Sequence, residues 1–158
     1  PWETHFVQIF GRKIPSPRLS SWHGDAHCSY RYSKVRYEPK AWTKPLTAVR
    51  DQLASAGIGE FNCVLANFYR SGADSMGWHS DSEPELGPDP LIASISLGAP
   101  RRFCLRHKAS SEKTELLLTS GSLLVMADGA QQNYQHALPK MAHIGSPRVN
   151  LTFRQIAQ

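Results

Sequence analysis

Six short apolar runs, each closed by turn-forming residues, fill the chain from residue 62 onward. They span 62–69, 91–97, 102–106, 115–118, 122–127 and 148–156. Runs of this length, separated by Gly, Pro, Ser and Asp, predict strands. One earlier segment differs: Leu46, Val49 and Leu53 recur at helical spacing, with Thr43 able to cap the helix, Pro45 suited to its first turn and Gly57 to its end. Residues 4–10 alternate apolar and polar as a half-buried strand does. The stretch 11–25, with Pro15, Pro17 and Gly24, reads as an irregular loop. A helix backing many short strands predicts a mainly β fold with a flanking helix, a two-sheet jelly roll or barrel. Folds of this kind hold small ligands in their mouths.

At 158 residues and 41% hydrophobic content the chain can bury one core, so a single domain over 1–158 is expected. With 20% charged residues it does not read as disordered. No apolar run approaches the roughly 20 residues that cross a bilayer, and no signal-peptide pattern opens the chain. A chain that starts at Pro1 rather than Met is expected to be a trimmed piece of a longer one. Cys28, Cys63 and Cys104 form no C-x-x-C pair and are expected as free thiols in a reducing compartment, intracellular and cytoplasmic, or nuclear in a eukaryote.

Net charge is +5, unevenly spread. Residues 1–50 hold nine Lys/Arg against three acids (+6), and the rest hold nine against ten (−1). The basic third also carries eight of the fifteen aromatics, among them Phe10, Tyr30 and Tyr32. Cations interleaved with aromatics suit a phosphate backbone with bases to stack on, and equally a solvated basic face over an aromatic mini-core.

Two His residues open an H-x-D triplet, His23-Gly-Asp25 and His79-Ser-Asp81. Chance supplies roughly a quarter of one such triplet, so the surroundings decide. Two His and one carboxylate on one face of a metal leave open positions for a chelating co-substrate and dioxygen, the arrangement of non-haem iron(II) oxygenases. An extended H-x-D supplies two of the three ligands, since residues two apart project to one side. His107, His136 and His143 are candidates for the third. Arg148 and Arg154, six apart in the last strand, share a face and call for an anion. A rival metal cluster, His23, Asp25, His27 and Cys28, lies in the predicted loop without a paired Arg strand.

Asn67-Phe-Tyr69, His79-Ser-Asp81, His136 and Arg148-Val-Asn150-Leu-Thr152-Phe-Arg154 together resemble the AlkB family of iron(II)/2-oxoglutarate dioxygenases. The resemblance runs over nearly the whole chain. Ile9-Phe10-Gly11, Gly24-Asp25, Ile95-Ser96-Leu97-Gly98 and Arg106-His107-Lys108 make it look most like the branch that repairs duplex DNA. It implies a double-stranded β-helix (jelly-roll) core over 43–158, behind an N-terminal nucleotide-recognition lid over 1–42. It implies iron(II) held by His79, Asp81 and His136, with 2-oxoglutarate and dioxygen as co-substrates. Arg148 would fork the distal carboxylate of 2-oxoglutarate, helped by Tyr69 and Asn150. Asn67, Thr152 and Arg154 would complete that site, Arg154 also beside Asp81.

On the substrate side the resemblance implies Tyr30 and Tyr32 in the lid, with Tyr32 stacked on an extruded base. Glu83 would read the base's exocyclic amine. Phe10, with Gly11 and Arg12, would form the finger that fills the gap, and Arg18 a cation at that gap. Duplex-repairing members carry a basic run between the last His ligand and the Arg strand; here 137–147 holds only Lys140 and His143, a weaker grip on a second strand. The implied activity is oxidative demethylation of 1-methyladenine or 3-methylcytosine in DNA, by a monomer, with release of formaldehyde and succinate. The alternatives are an RNA demethylase, an oxygenase hydroxylating a protein or small molecule, and a nucleic-acid-binding module with a structural metal.

Overall fold

The computed structural model describes residues 2–9, 12–32 and 35–157; for 5, 7–9, 12, 13, 30–32 and 35–37 it describes the backbone alone. Phe10 and Gly11 therefore lie outside the described residues.

The chain opens with β1 (Glu3–Ile9) and β2 (Arg12–Gly24), then a short hairpin of β3 (Tyr30–Tyr32) and β4 (Val35–Tyr37). Helix α1 (Lys44–Ser55) follows, then β5 (Cys63–Tyr69) and β6 (Met76–His79). The second half runs through β7 (Ile92–Gly98), β8 (Arg101–His107), β9 (Lys113–Leu118), β10 (Leu123–Met126), α2 (Ala130–Asn133), β11 (Tyr134–Leu138) and β12 (Arg148–Arg154). Six strands form one sheet in the order β1-β2-β5-β12-β7-β10, and four form a second in the order β6-β11-β8-β9. The ladders between named strands are antiparallel, so this is the expected two-sheet, mainly β architecture. Among the described residues no helix is long and apolar enough to cross a membrane.

Helix α1 packs its Leu46, Val49 and Leu53 stripe on the outer face of the larger sheet, against Val64, Ala66, Leu151 and Phe153. Pro45 sits in its first turn, and Gly57 ends it in the left-handed region at φ 71°. Thr43 occupies the cap position without a side-chain bond. Tyr69, Ile92, Phe103, Met126 and Leu138 form an apolar cluster drawn from strands of both sheets.

The stretch 11–25 is not a loop: its larger part is the 13-residue strand β2. Its two prolines, Pro15 and Pro17, are placed where a strand can hold them. Over Arg12–Pro17 the described pairing runs to β1 alone, and the ladder to β5 begins only at Leu19. A strand paired on one side tolerates Pro, whose missing N–H leaves no ladder bond broken. The strands β3, β4, β6 and β11, three to five residues each, were also absent from the predicted set.

Candidate metal and co-substrate site

The H-x-D triplet straddles the end of β6, and β11 brings the third ligand to it. In the antiparallel β6–β11 ladder His136 is the register partner of His79, so both imidazoles rise from the same face of the smaller sheet. Their rings meet edge to face with centroids 4.2 Å apart. One ligand atom from each of His79, Asp81 and His136 lies within 4.8 Å of the others, the one such His/Cys/Asp/Glu group among the described residues. Of the other His candidates, His107 packs edge to face on Tyr134, and His143 is exposed in the loop before β12. The rival cluster is otherwise engaged: His23 bonds Ser21 Oγ and the Ala41 carbonyl, while Asp25 accepts the Trp42 indole N–H.

Neighbours fix the state of each triad member. His79 Nδ1 lies 2.8 Å from the Gly77 carbonyl and must donate there, which leaves the Nε2 lone pair free for a metal. Nε2 stands 3.6 Å from Asp81 Oδ1. The other carboxylate oxygen, Oδ2, accepts from Arg154 Nη2 at 2.8 Å. Burial would push the Asp81 carboxyl up, but Arg154 first, then His136 and His79, outweigh it and hold the pKa below the ordinary value. Burial lowers His136 to about 4, only partly opposed by Asp81, so its imidazole is neutral and able to ligate at neutral pH.

The remaining side chains named as co-substrate candidates line the same pocket: Asn67, Tyr69, Arg148, Asn150, Thr152 and Arg154. Register puts them there. On β12, Arg148, Asn150, Thr152 and Arg154 alternate with apolar residues, and Arg148 and Asn150 pair with Tyr69 and Asn67 on β5. Arg148 is 2% exposed. Its Nη2 donates to Ser96 Oγ at 2.8 Å, whereas Nε and Nη1 are buried with no partner. The guanidinium lies 5.3 Å over the Tyr69 ring, and Arg101, also buried, lies 5.6 Å from the same ring. Among the described residues no carboxylate pairs with Arg148. A buried cation with two idle donor nitrogens in the wall of a pocket fits an anionic ligand. A 2-oxoglutarate carboxylate matches that need, and the two-His, one-carboxylate donor set beside it fits iron(II).

Three further placements refine the expected roles. Asn150 uses both amide hydrogens internally, donating to Ser94 Oγ and the Ile95 carbonyl, and its oxygen accepts from Thr152. These two residues therefore form the pocket floor as one hydrogen-bonded unit. Arg18 stands in the pocket wall, donating from Nε to Asn67 Oδ1 at 2.7 Å and contacting Ser16 Oγ and Met76 Sδ. Glu83 lines the pocket with a buried Oε2 that has no partner. Tyr30 and Tyr32 lie on β3 and Arg12 opens β2, with only their backbones described. Sequence reasoning missed Arg101, Ser94 and Gln131, although the Ser-x-Ser alternation at 94–96 marks a polar face on an otherwise apolar strand.

Residues 1–154 match the model of the 2OG-Fe(II) oxygenase superfamily. Alpha-ketoglutarate-dependent dioxygenase alkB homolog 3 of Mus musculus is 40% identical over 99% of this chain and 57% of its own length. DNA oxidative demethylase ALKBH2 of Homo sapiens is also 40% identical, over 95% of this chain and 60% of its own. The chain thus spans about three-fifths of these curated relatives. A solved structure of OsALKBH1 superposes with a TM-score of 0.66 at 16% identity, covering 96% of this chain and 80% of that one, a likeness of fold.

Proposed function

The chain belongs to the 2OG-Fe(II) oxygenase superfamily, in its AlkB family, and on that premise we propose that it removes N-methyl groups from alkylated bases in DNA. The observation that carries this reading is one pocket that joins the His79, Asp81 and His136 triad to a buried Arg148 with two unused N–H groups. That a 40% identical relative is a DNA oxidative demethylase supports a nucleic-acid substrate, as does the basic, aromatic N-terminal third. Residues 1–158 are read as one oxygenase domain with a lid over 1–42, acting as a monomer inside the cell.

His79, Asp81 and His136 would hold the metal, and Arg148, with Tyr69 beneath it, would take a carboxylate of 2-oxoglutarate. When bound, iron(II) would let dioxygen act as the oxidant, with two electrons drawn from 2-oxoglutarate, which leaves as succinate and carbon dioxide, and two from the substrate's methyl C–H bond. Arg154 keeps Asp81 ionised and turned toward the metal position. Leu65, Phe103, Met126 and Leu138 give the pocket apolar walls that limit water. The free Oε2 of Glu83 is an acceptor suited to the exocyclic amine of 1-methyladenine or 3-methylcytosine. Tyr32 supplies a stacking face and Phe10 a wedge for the gap left in the strand. Once the methyl carbon carries a hydroxyl, formaldehyde leaves without help from a side-chain base, so the protein's task is holding and orienting.

The test incubates the protein with iron(II), ascorbate and 2-oxoglutarate, supplying matched single- and double-stranded DNA with one 1-methyladenine. Methyl loss is read by mass, with His79→Ala as control. Loss that depends on 2-oxoglutarate and vanishes in the variant is expected. Succinate without methyl loss would discard the substrate and keep the oxygenase, and neither product would discard both.

A further inference from the structure

Asp81 belongs to no helix or strand: β6 ends at His79, and the next regular turn begins at Pro84. Something else must hold its main chain. The buried Asp81 N–H donates to Gln131 Oε1 at 2.9 Å, a contact 50 residues away in sequence. Gln131 is itself 4% exposed. Because a backbone N–H needs an acceptor, this bond sets which way the amide faces, and Nε2 turns to Met126 Sδ at 3.5 Å. The short helix α2 that carries Gln131 is braced at both ends. Lys108 donates from Nζ to the Gln131 carbonyl at 2.8 Å and from its backbone N–H to the Asn133 carbonyl at 2.8 Å. Asp89 accepts from the Gly129 N–H at 2.8 Å.

We infer that Gln131 is a positioning residue for the metal carboxylate, fixing the Asp81 main chain so that Oδ1 faces His79 while Arg154 holds Oδ2. This rests on the reading of His79, Asp81 and His136 as the metal centre. The need for such a strut comes from Arg154. Its Nε is buried without a partner, joined through Cζ to the Nη2 that already grips Oδ2. A loop released at its backbone can slide into a two-pronged pairing with that guanidinium, which turns both carboxylate oxygens away from the imidazoles. Gln131 opposes this by holding the chain from the other side. Partners that orient a ligand in this way govern metal affinity while never touching the metal.

The experiment titrates manganese(II), a redox-quiet stand-in for iron(II), into the parent and three variants, following free metal. Gln131→Met keeps the side-chain length without the oxygen and is expected to bind manganese about 10- to 100-fold more weakly. Gln131→Glu retains an acceptor oxygen and is expected within about threefold of the parent. Lys108 is exposed, so Lys108→Met leaves the fold intact while loosening α2, with an expected loss of about threefold. Equal binding by Gln131→Met and the parent would overturn the inference. So would a Gln131→Glu protein as weak as Gln131→Met, since the loss would then be one of packing. Should Gln131→Met fail to fold, undiminished binding by Lys108→Met would count against the strut. A parent that binds no manganese would instead bring down the metal centre itself, and this inference with it.

Discussion

Replacing Arg148 with Met should make the protein more stable and less able to bind its co-substrate. The guanidinium is 2% exposed, meets no carboxylate among the described residues, and leaves Nε and Nη1 without partners. Burial, only partly opposed by Tyr69, holds its pKa below the usual guanidinium value, so its surroundings disfavour the charge. Exchanging a buried, poorly compensated ion for an apolar side chain of similar length contributes about 1–4 kcal/mol. Against this, Ser96 Oγ loses its donor, at about 1 kcal/mol. The ligand-free variant should gain up to about 3 kcal/mol, and each kcal/mol raises Tm by about 2–4 °C in a domain of this size. The two idle N–H groups, at about 1.5–3 kcal/mol each toward a carboxylate, imply a loss of about 10²- to 10⁴-fold in 2-oxoglutarate affinity. Thermal unfolding without ligands and calorimetric titration of 2-oxoglutarate into manganese-loaded protein read the two effects separately. A variant that unfolds earlier and binds 2-oxoglutarate as the parent does would refute the reasoning, since Arg148 would then be an ordinary core residue.

The pH dependence of stability in metal-free protein follows from His136, whose pKa falls from 6.5 to about 4 because burial disfavours the charged ring. Between these values the unfolded chain takes up the proton first, so stability is full above pH 6.5 and falls by about 3 kcal/mol as pH drops to 4. Urea unfolding should show that slope, and His136→Gln should flatten it. At Gly72 a Cβ would collide with the Met141 carbonyl, across the backbone bonds that tie 72 to 141 and 144. Gly72→Ala should therefore cost about 2 kcal/mol or more in the same assay, whereas Gly145→Ala, with open space around its Cβ, should stay within about 0.5 kcal/mol. Phe10→Ala should impair repair of duplex DNA more than of single strands, and equal losses would make Phe10 a packing residue. Affinity for DNA should fall as salt rises, because phosphate contacts release counterions; a flat response would remove residues 1–50 from the backbone interface.

The chemistry was more legible than the strands that deliver it. His79-Ser-Asp81 stood out from His23-Gly-Asp25 only through its company, a later His and the alternation of Arg148, Asn150, Thr152 and Arg154 on one apolar strand, and the structure gathers these residues in one pocket. The third candidate ligand was not so fixed, because what brings His136 rather than His107 to His79 is its register opposite His79 across a ladder with an irregularity. β6 and β11 are four and five residues long, and Gly77 and Gln135 blur their alternation. β2 hid behind Pro15 and Pro17, whose meaning depends on how many neighbours a strand has. Gln131 gave no signal at all: a polar residue in a four-residue helix resembles any loop position until Asp81 is seen against it. Arg101 drew no notice in the sequence, yet it is fully buried with three backbone carbonyls as partners.

On this account one pocket binds a divalent metal through His79, Asp81 and His136 and 2-oxoglutarate through Arg148, the two together. Titrating 2-oxoglutarate into metal-free and manganese-loaded protein tests it most directly. Much tighter binding with the metal present, lost in both His136→Ala and Arg148→Met, is the predicted result. Binding of equal strength with and without manganese would contradict it.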